Sequence, residues 1–222
     1  SESVLRSQYP YVDDLLLEVL SMEYHETIMA AAGQQAEDQL HMAMKKYAGK
    51  FICVVEGAVA TKFDGGYGKI GGRTFLEIAK EVCPQAAGVI CIGGCSSFGN
   101  IPAARPNPGG YKGVGEALGI KTVNIAGCPP NPYNFLTTVL HFLTFNSLPA
   151  LDAKNRPKFA YERLIHENCE RRPHFDAGRF AEQFGDEGHP LALAFAAHAE
   201  AAAVGRIDGH QVDNAAKGVT RA

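Results

Sequence analysis

Tryptophan is absent from this 222-residue chain, and so is any apolar run approaching the roughly 18 residues that a membrane-crossing helix needs. The polar start Ser1-Glu2-Ser3 does not resemble a signal peptide. The expectation is a soluble chain, or mature material whose targeting segment has gone. Clustered positive charge is also missing. The 21 lysines and arginines are scattered against 24 acidic residues, for a net charge of -3. That balance gives no general attraction to nucleic acid, which is set aside as a partner. Six cysteines, unevenly placed, are too few for a disulfide-stapled scaffold in a chain of this size. No internal repeat or low-complexity tract appears before Pro190. What remains is a chain with 46% hydrophobic residues, able to bury a core and long enough for one domain plus an appendage.

The hydrophobic pattern predicts an α/β fold. Strands are expected over 50–57, 89–92 and 122–125, and helices over 36–47, 74–82, 114–118 and 134–145. The apolar stretch 11–20 fits either state. Strands alternating with helices imply a parallel sheet covered on both faces. From about Leu148 the pattern changes, as Pro149, Pro157 and Pro173 interrupt regular elements. Two domains follow, 1–147 and 148–222, the second more irregular. Its end, 191–222, is alanine-rich through Ala203 and then without pattern, and fits at most one helix.

Two cysteines are placed for chemistry. Cys128 sits in Gly127-Cys128-Pro129-Pro130-Asn131-Pro132, a rigid proline-bound turn after a β-branched run, and Cys95 follows Ile92-Gly93-Gly94. Each lies past the carboxyl end of a predicted strand, where open parallel sheets bind ligands. Two thiolates gathered there point to a soft metal or an iron-sulfur cluster. The plainer alternative is a pair of buried structural cysteines. Cys53 and Cys91 lie inside apolar runs and Cys83 at a helix end, so all three read as core. His166-Glu167-Asn168-Cys169 places a histidine three residues before a cysteine, and histidine can replace cysteine at an iron-sulfur centre. By itself that spacing is also compatible with a capping histidine. His174 and Asp176 read as structural. Gly66-Tyr67-Gly68-Lys69-Ile70-Gly71 matches a dinucleotide-binding string, but its strand ends near Glu56, so a flexible glycine loop is the stronger reading. Isoleucine after Gly68-Lys69 excludes a P-loop. Glu56, at the same sheet edge, is a solvated carboxylate or a proton carrier.

The segments Ser1 to Ser7, Tyr24-His25-Glu26-Thr27-Ile28-Met29-Ala30, Val55-Glu56-Gly57, Cys95 with its glycines, Pro106-Asn107-Pro108, the Cys128 turn, and His166 to Cys169 with His174-Phe175 resemble the small subunit of nickel-iron hydrogenases. The resemblance covers roughly residues 1–188. It implies a flavodoxin-like parallel-sheet domain followed by an irregular iron-sulfur-cluster-binding region. It also implies an electron-relay subunit, lacking a catalytic residue of its own, that carries a proximal and a distal 4Fe-4S cluster and a medial 3Fe-4S cluster. The nickel-iron centre belongs to a large-subunit partner in a heterodimer on the periplasmic side, and electrons leave toward a cytochrome-type or other acceptor.

By position, Cys95 and Cys128 resemble two ligands of the proximal cluster, and His166 and Cys169 two ligands of the distal one. The family's other proximal cysteines, in a C-x-x-C segment before the residue corresponding to Ser1, are not in the sequence. Its remaining distal and medial cysteines should follow Gly188, where 191–222 has no cysteine. The expectation is a truncated chain. Two alternatives stand beside this reading: the cluster subunit of a quinone-reducing respiratory complex, and a flavodoxin-like flavin-binding module or clusterless scaffold.

Overall fold

The computed structural model describes residues 11–164, 167 and 169–179. Among them are five strands, β1 (Ile52–Glu56), β2 (Lys69–Ile70), β3 (Arg73–Thr74), β4 (Gly88–Ile92) and β5 (Val123–Ile125). The helices are α1 (Val12–Asp14), α2 (Gln34–Lys46), α3 (Phe75–Val82), α4 (Gly93–Phe98), α5 (Asn100–Ala103), α6 (Val114–Leu118), α7 (Pro132–Phe145), α8 (Lys158–Tyr161) and α9 (Arg172–Asp176). β1, β4 and β5 form a parallel sheet in that order, with Glu56 opposite Ile92 and Ile92 opposite Ile125. Their carboxyl ends are therefore level, and the turns after them share one edge.

Side chains alternate across a strand, so β4 feeds two cores. Ile90 and Ile92, with Val123 and Ile125, pack against Phe135, Leu136 and Val139 of α7. Val89 and Cys91 pack on the opposite face with Leu76 and Ala79 of α3 and Val114 of α6. Ile90 is 1% exposed; burying one such side chain contributes roughly 1.5–3 kcal/mol. Local chemistry places the helices. Thr74 Oγ1 accepts from the Glu77 N–H and starts α3. Asn131 Oδ1 accepts from the Tyr133 N–H, and Pro132 occupies the first turn of α7.

Two elements differ from the pattern reading, and the stretch left open between strand and helix is helical. Residues 11–20 form a helical turn running into π-helical turns over Leu15–Val19. Gly93–Phe98 is a helix where the glycines predict a loop; Ser96 Oγ donates to the Ile92 carbonyl at 2.6 Å, so tertiary contacts override the poor propensity of glycine. The glycine string holds an antiparallel hairpin of β2 and β3, with Gly71 and Gly72 both at positive φ in the two-residue turn. That is neither a flexible loop nor a phosphate cradle.

After residue 148 the described chain stays attached to the sheet. The Asn124 N–H donates to the Asn155 carbonyl and Asn124 Nδ2 to the Lys154 carbonyl, both at 2.8 Å. Residues 1–10, 165, His166, 168 and 180–222, including 191–222, lie outside the described residues. Among the described residues no helix is long and apolar enough to cross a membrane.

α2 is pinned to α3 by an apolar seam, Leu40 and Met44 on Val82 and Ile78. A charge cluster reinforces it: Arg73 bonds Glu37 at 3.1 Å and also bonds Glu81, which meets His41 Nε2 at 3.1 Å. The Arg73 hydrogen bond holds the Glu81 carboxyl below its usual range. A carboxylate depressed in this way stabilises the fold above its unfolded pKa and loses that contribution as pH falls through the folded value. The Glu81 side chain is 31% exposed, so solvent screening keeps the gain to about 1 kcal/mol. Glu81→Gln is expected to lower stability by about that amount at pH 7, with the gap to wild type closing below about pH 4. Urea unfolding across pH 3–7 checks this; a gap that widens toward acid would refute it.

Candidate metal centre

The two turns after β4 and β5 are joined by backbone. The Gly94 N–H donates to the Gly127 carbonyl at 2.8 Å, which brings together the residues immediately before Cys95 and Cys128. Gly127 cannot be replaced without movement: at φ +142°, an added Cβ would stand 2.5 Å from Pro130 Cα and 2.8 Å from the Pro129 carbonyl oxygen. The turn closes through a Gly127–Pro130 bridge and hands over to α7 at Asn131. The proline-rich motif thus presents the thiol and starts the helix.

Cys95 is half-buried and Cys128 exposed. Burial pushes the Cys95 thiol up, and negative charge on Cys128 and Glu56 adds to the rise. The Asn100 side chain and the Ile101 N–H hydrogen-bond the Cys95 sulfur and oppose it. Cys95, Cys128 and Glu56 are therefore within electrostatic reach at one sheet edge. Cys128 charge works against Cys95 ionising beside it, and a bound cation reverses that penalty.

The other three cysteines of the sheet domain sit in or against the apolar core. Cys83 and Cys91 are 3% and 0% exposed. Burial pushes Cys91 up to about 12. Cys53, half-buried, is raised by its hydrogen bond to Cys83 and by burial. A thiol that its surroundings hold neutral, as at Cys53 and Cys91, is a poor ligand.

Cys169 is half-buried, ahead of α9. Its partner in the H-x-x-C pair, His166, lies outside the described residues. His174 Nδ1 meets Arg179 at 3.1 Å, as a structural residue does. Among the described residues no group of three or more His, Cys, Asp or Glu side chains is gathered as a metal site. The structure brings Cys95 and Cys128 together, and Cys169 does not join them in a group of three. The donor chemistry of the pair fits a soft metal centre, with two of the four ligands a cubane cluster usually takes.

Pattern reading missed Asn100 and Tyr161. Asn100 follows Gly99, and both have positive φ; the Gly-Asn dipeptide is a turn signal that marks the spot without revealing the sulfur contact. Tyr161 donates its hydroxyl to the Ala126 carbonyl at 2.8 Å, a contact across 35 residues that no local signal shows.

Comparison with known proteins decides the family. The profile described as "NADH ubiquinone oxidoreductase, 20 Kd subunit" matches residues 1–142, and the profile for the C-terminal part of the NiFe/NiFeSe hydrogenase small subunit matches residues 161–195. The Hydrogenase-2 small chain of Escherichia coli strain K12 is 52% identical over 190 residues. The chain belongs to the nickel-iron hydrogenase small-subunit family. The periplasmic [NiFe] hydrogenase small subunit 1 of Nitratidesulfovibrio vulgaris is 49% identical over 190 residues. These matches cover 85% and 84% of the chain but only 51% and 60% of the relatives. The chain thus spans between half and three-fifths of their length. The solved nickel-iron-selenium hydrogenase of Desulfomicrobium baculatum superposes with a TM-score of 0.76 at 33% identity, covering 83% of this chain and 74% of that one. The respiratory-complex alternative shares the first profile; the second profile and the hydrogenase relatives favour the small subunit.

Gly127→Ala is expected to cost about 2 kcal/mol or more, because a Cβ would overlap backbone as well as strain φ. Gly119→Ala at the end of α6, where a Cβ has nothing within 4 Å, is expected to cost only about 1 kcal/mol. Chemical denaturation of both variants tests the ordering, and equal losses would refute it.

Proposed function

We propose that this chain is the electron-transfer subunit of a nickel-iron hydrogenase, working beside a separate large subunit that activates hydrogen. The observation that carries this is the pair Cys95 and Cys128, joined through Gly94 and Gly127 at the sheet edge of a chain from this family. In this reading the pair supplies two thiolate ligands to a proximal iron-sulfur cluster, and His166 and Cys169 supply two ligands to a distal one. Such clusters, when bound, take up and release single electrons. The chain's own residues provide the rest. Gly94 and Gly127 fix the spacing of the two turns. Asn100 and the Ile101 N–H stabilise negative charge on the Cys95 sulfur, and hydrogen bonds to sulfur tune cluster potentials. The apolar faces of β4 and β5 hold both turns on a rigid base.

The medial cluster, the flavodoxin-like assignment and the division at residue 147 belong to the same proposal. So do a periplasmic location and transfer to a cytochrome-type or other acceptor; one relative is named a periplasmic subunit, and another, in Wolinella succinogenes, a quinone-reactive hydrogenase small chain.

Production of the chain with its large subunit provides the test. Cys128→Ser is expected to reduce iron content and remove the signal of one cluster. Cys53→Ser is expected to leave iron unchanged and cost about 1–3 kcal/mol of stability. Equal iron in the two variants would overturn the ligand assignment. His166→Cys should retain its cluster at a lower potential, because thiolate in place of neutral imidazole adds negative charge. Acceptor-linked turnover should slow while hydrogen-water isotope exchange persists. An unchanged redox spectrum and turnover would make His166 structural.

A further inference from the structure

Segment 150–161 wraps β5 in a way that packing alone does not require. Asn155 and Lys154 accept hydrogen bonds from Asn124 in the middle of that strand. Asp152 holds the next residues in place, accepting from the Arg156 N–H at 2.8 Å and from Arg156 Nε at 2.7 Å. Arg156, 8% exposed, lays its guanidinium over the Tyr161 ring at 5.4 Å from the centroid. The ring is thereby aimed, and its hydroxyl donates to the Ala126 carbonyl at 2.8 Å and accepts from Asn134 Nδ2 at 3.3 Å. Ala126 is 2% exposed and precedes Gly127, whose carbonyl takes the Gly94 N–H.

We propose that Tyr161 is a positioning residue for the metal centre: through Ala126 it sets the Gly127-Cys128 turn against Cys95, and it ties that turn to the chain leading to Cys169. The proposal rests on the reading of Cys95 and Cys128 as cluster ligands. A hydroxyl bonded to a buried carbonyl two residues before the ligand controls where the thiolate points. Its effect on the cluster therefore passes through backbone geometry, as outer partners of metal ligands act.

Tyr161→Phe removes only the hydroxyl and keeps the ring under Arg156. In the two-subunit enzyme, the variant should retain its iron. The electron paramagnetic resonance signal that Cys128→Ser abolishes should change line shape and midpoint, and iron should pass to a chelator faster than in wild type. Asn134→Ala, which removes the second partner of the hydroxyl, should shift the same signal less and in the same direction. Val139→Ala, a core truncation on α7 with no bond to the turn, controls for lost stability. It should lower the melting temperature without moving the signal.

An unchanged signal in Tyr161→Phe, or the same change in Val139→Ala, would overturn the positioning role while leaving the ligands in place. If Cys128→Ser itself removes no signal, the ligand assignment fails and the positioning role with it. Should Tyr161→Phe fail to accumulate, Asn134→Ala decides: a signal displaced relative to Val139→Ala supports the proposal, and one matching wild type overturns it.

Discussion

One backbone hydrogen bond, from the Gly94 N–H to the Gly127 carbonyl, joins the two turns that make up the site. It forms because the parallel register sets Ile92 beside Ile125, so that the chain leaves both strands at the same height. Glycine is needed at Gly127 for steric reasons, since a Cβ there would overlap the Pro130 backbone, whereas one on Gly94 would meet only the end of the Asn100 side chain. A register slip of one residue would exchange the two faces of each strand and carry the two turns apart. The two turns meet because the sheet registers.

The same constraint explains how cysteines four residues apart take different parts. Cys91 is still within β4, where alternation points it into the core shared by α3 and α6. Cys95 is past the strand's end, in a short helix, with Asn100 and the Ile101 N–H on its sulfur. Burial raises both thiols, and at Cys95 the Asn100 side chain and the Ile101 N–H oppose that rise.

Much of this was legible in the chain itself. The apolar runs around Val54, Ile90 and Val123 marked the parallel strands, and glycine before each cysteine marked the edge. Residues 93–98 were not legible, because two glycines argue for a loop while Ser96 and the packing of the turn make a helix. The hairpin at 69–74 was hidden inside a glycine string that matches a commoner motif. Segment 151–161 read as irregular because Pro149 and Pro157 break periodicity; its order comes from bonds to Asn124 and Ala126, about thirty residues earlier in the chain. Sequence spacing carries no trace of such contacts.

The Cys128 turn is consequently held from three independent directions. Gly94 ties it to the neighbouring strand end, the Asn131 cap ties it to α7, and Tyr161 ties it to the segment beyond residue 148. Any one bond of this kind contributes about 1 kcal/mol, too little for rigidity alone. Together they over-determine a conformation that includes a positive-φ glycine, and local strain persists only where the surroundings over-determine it. On the proposed reading, an electron relay would gain from that arrangement. Ligands that keep their place when charge arrives need no reorganisation at the moment of transfer, so preorganised dipoles and fixed sulfurs are the form of stabilisation a protein can provide in advance.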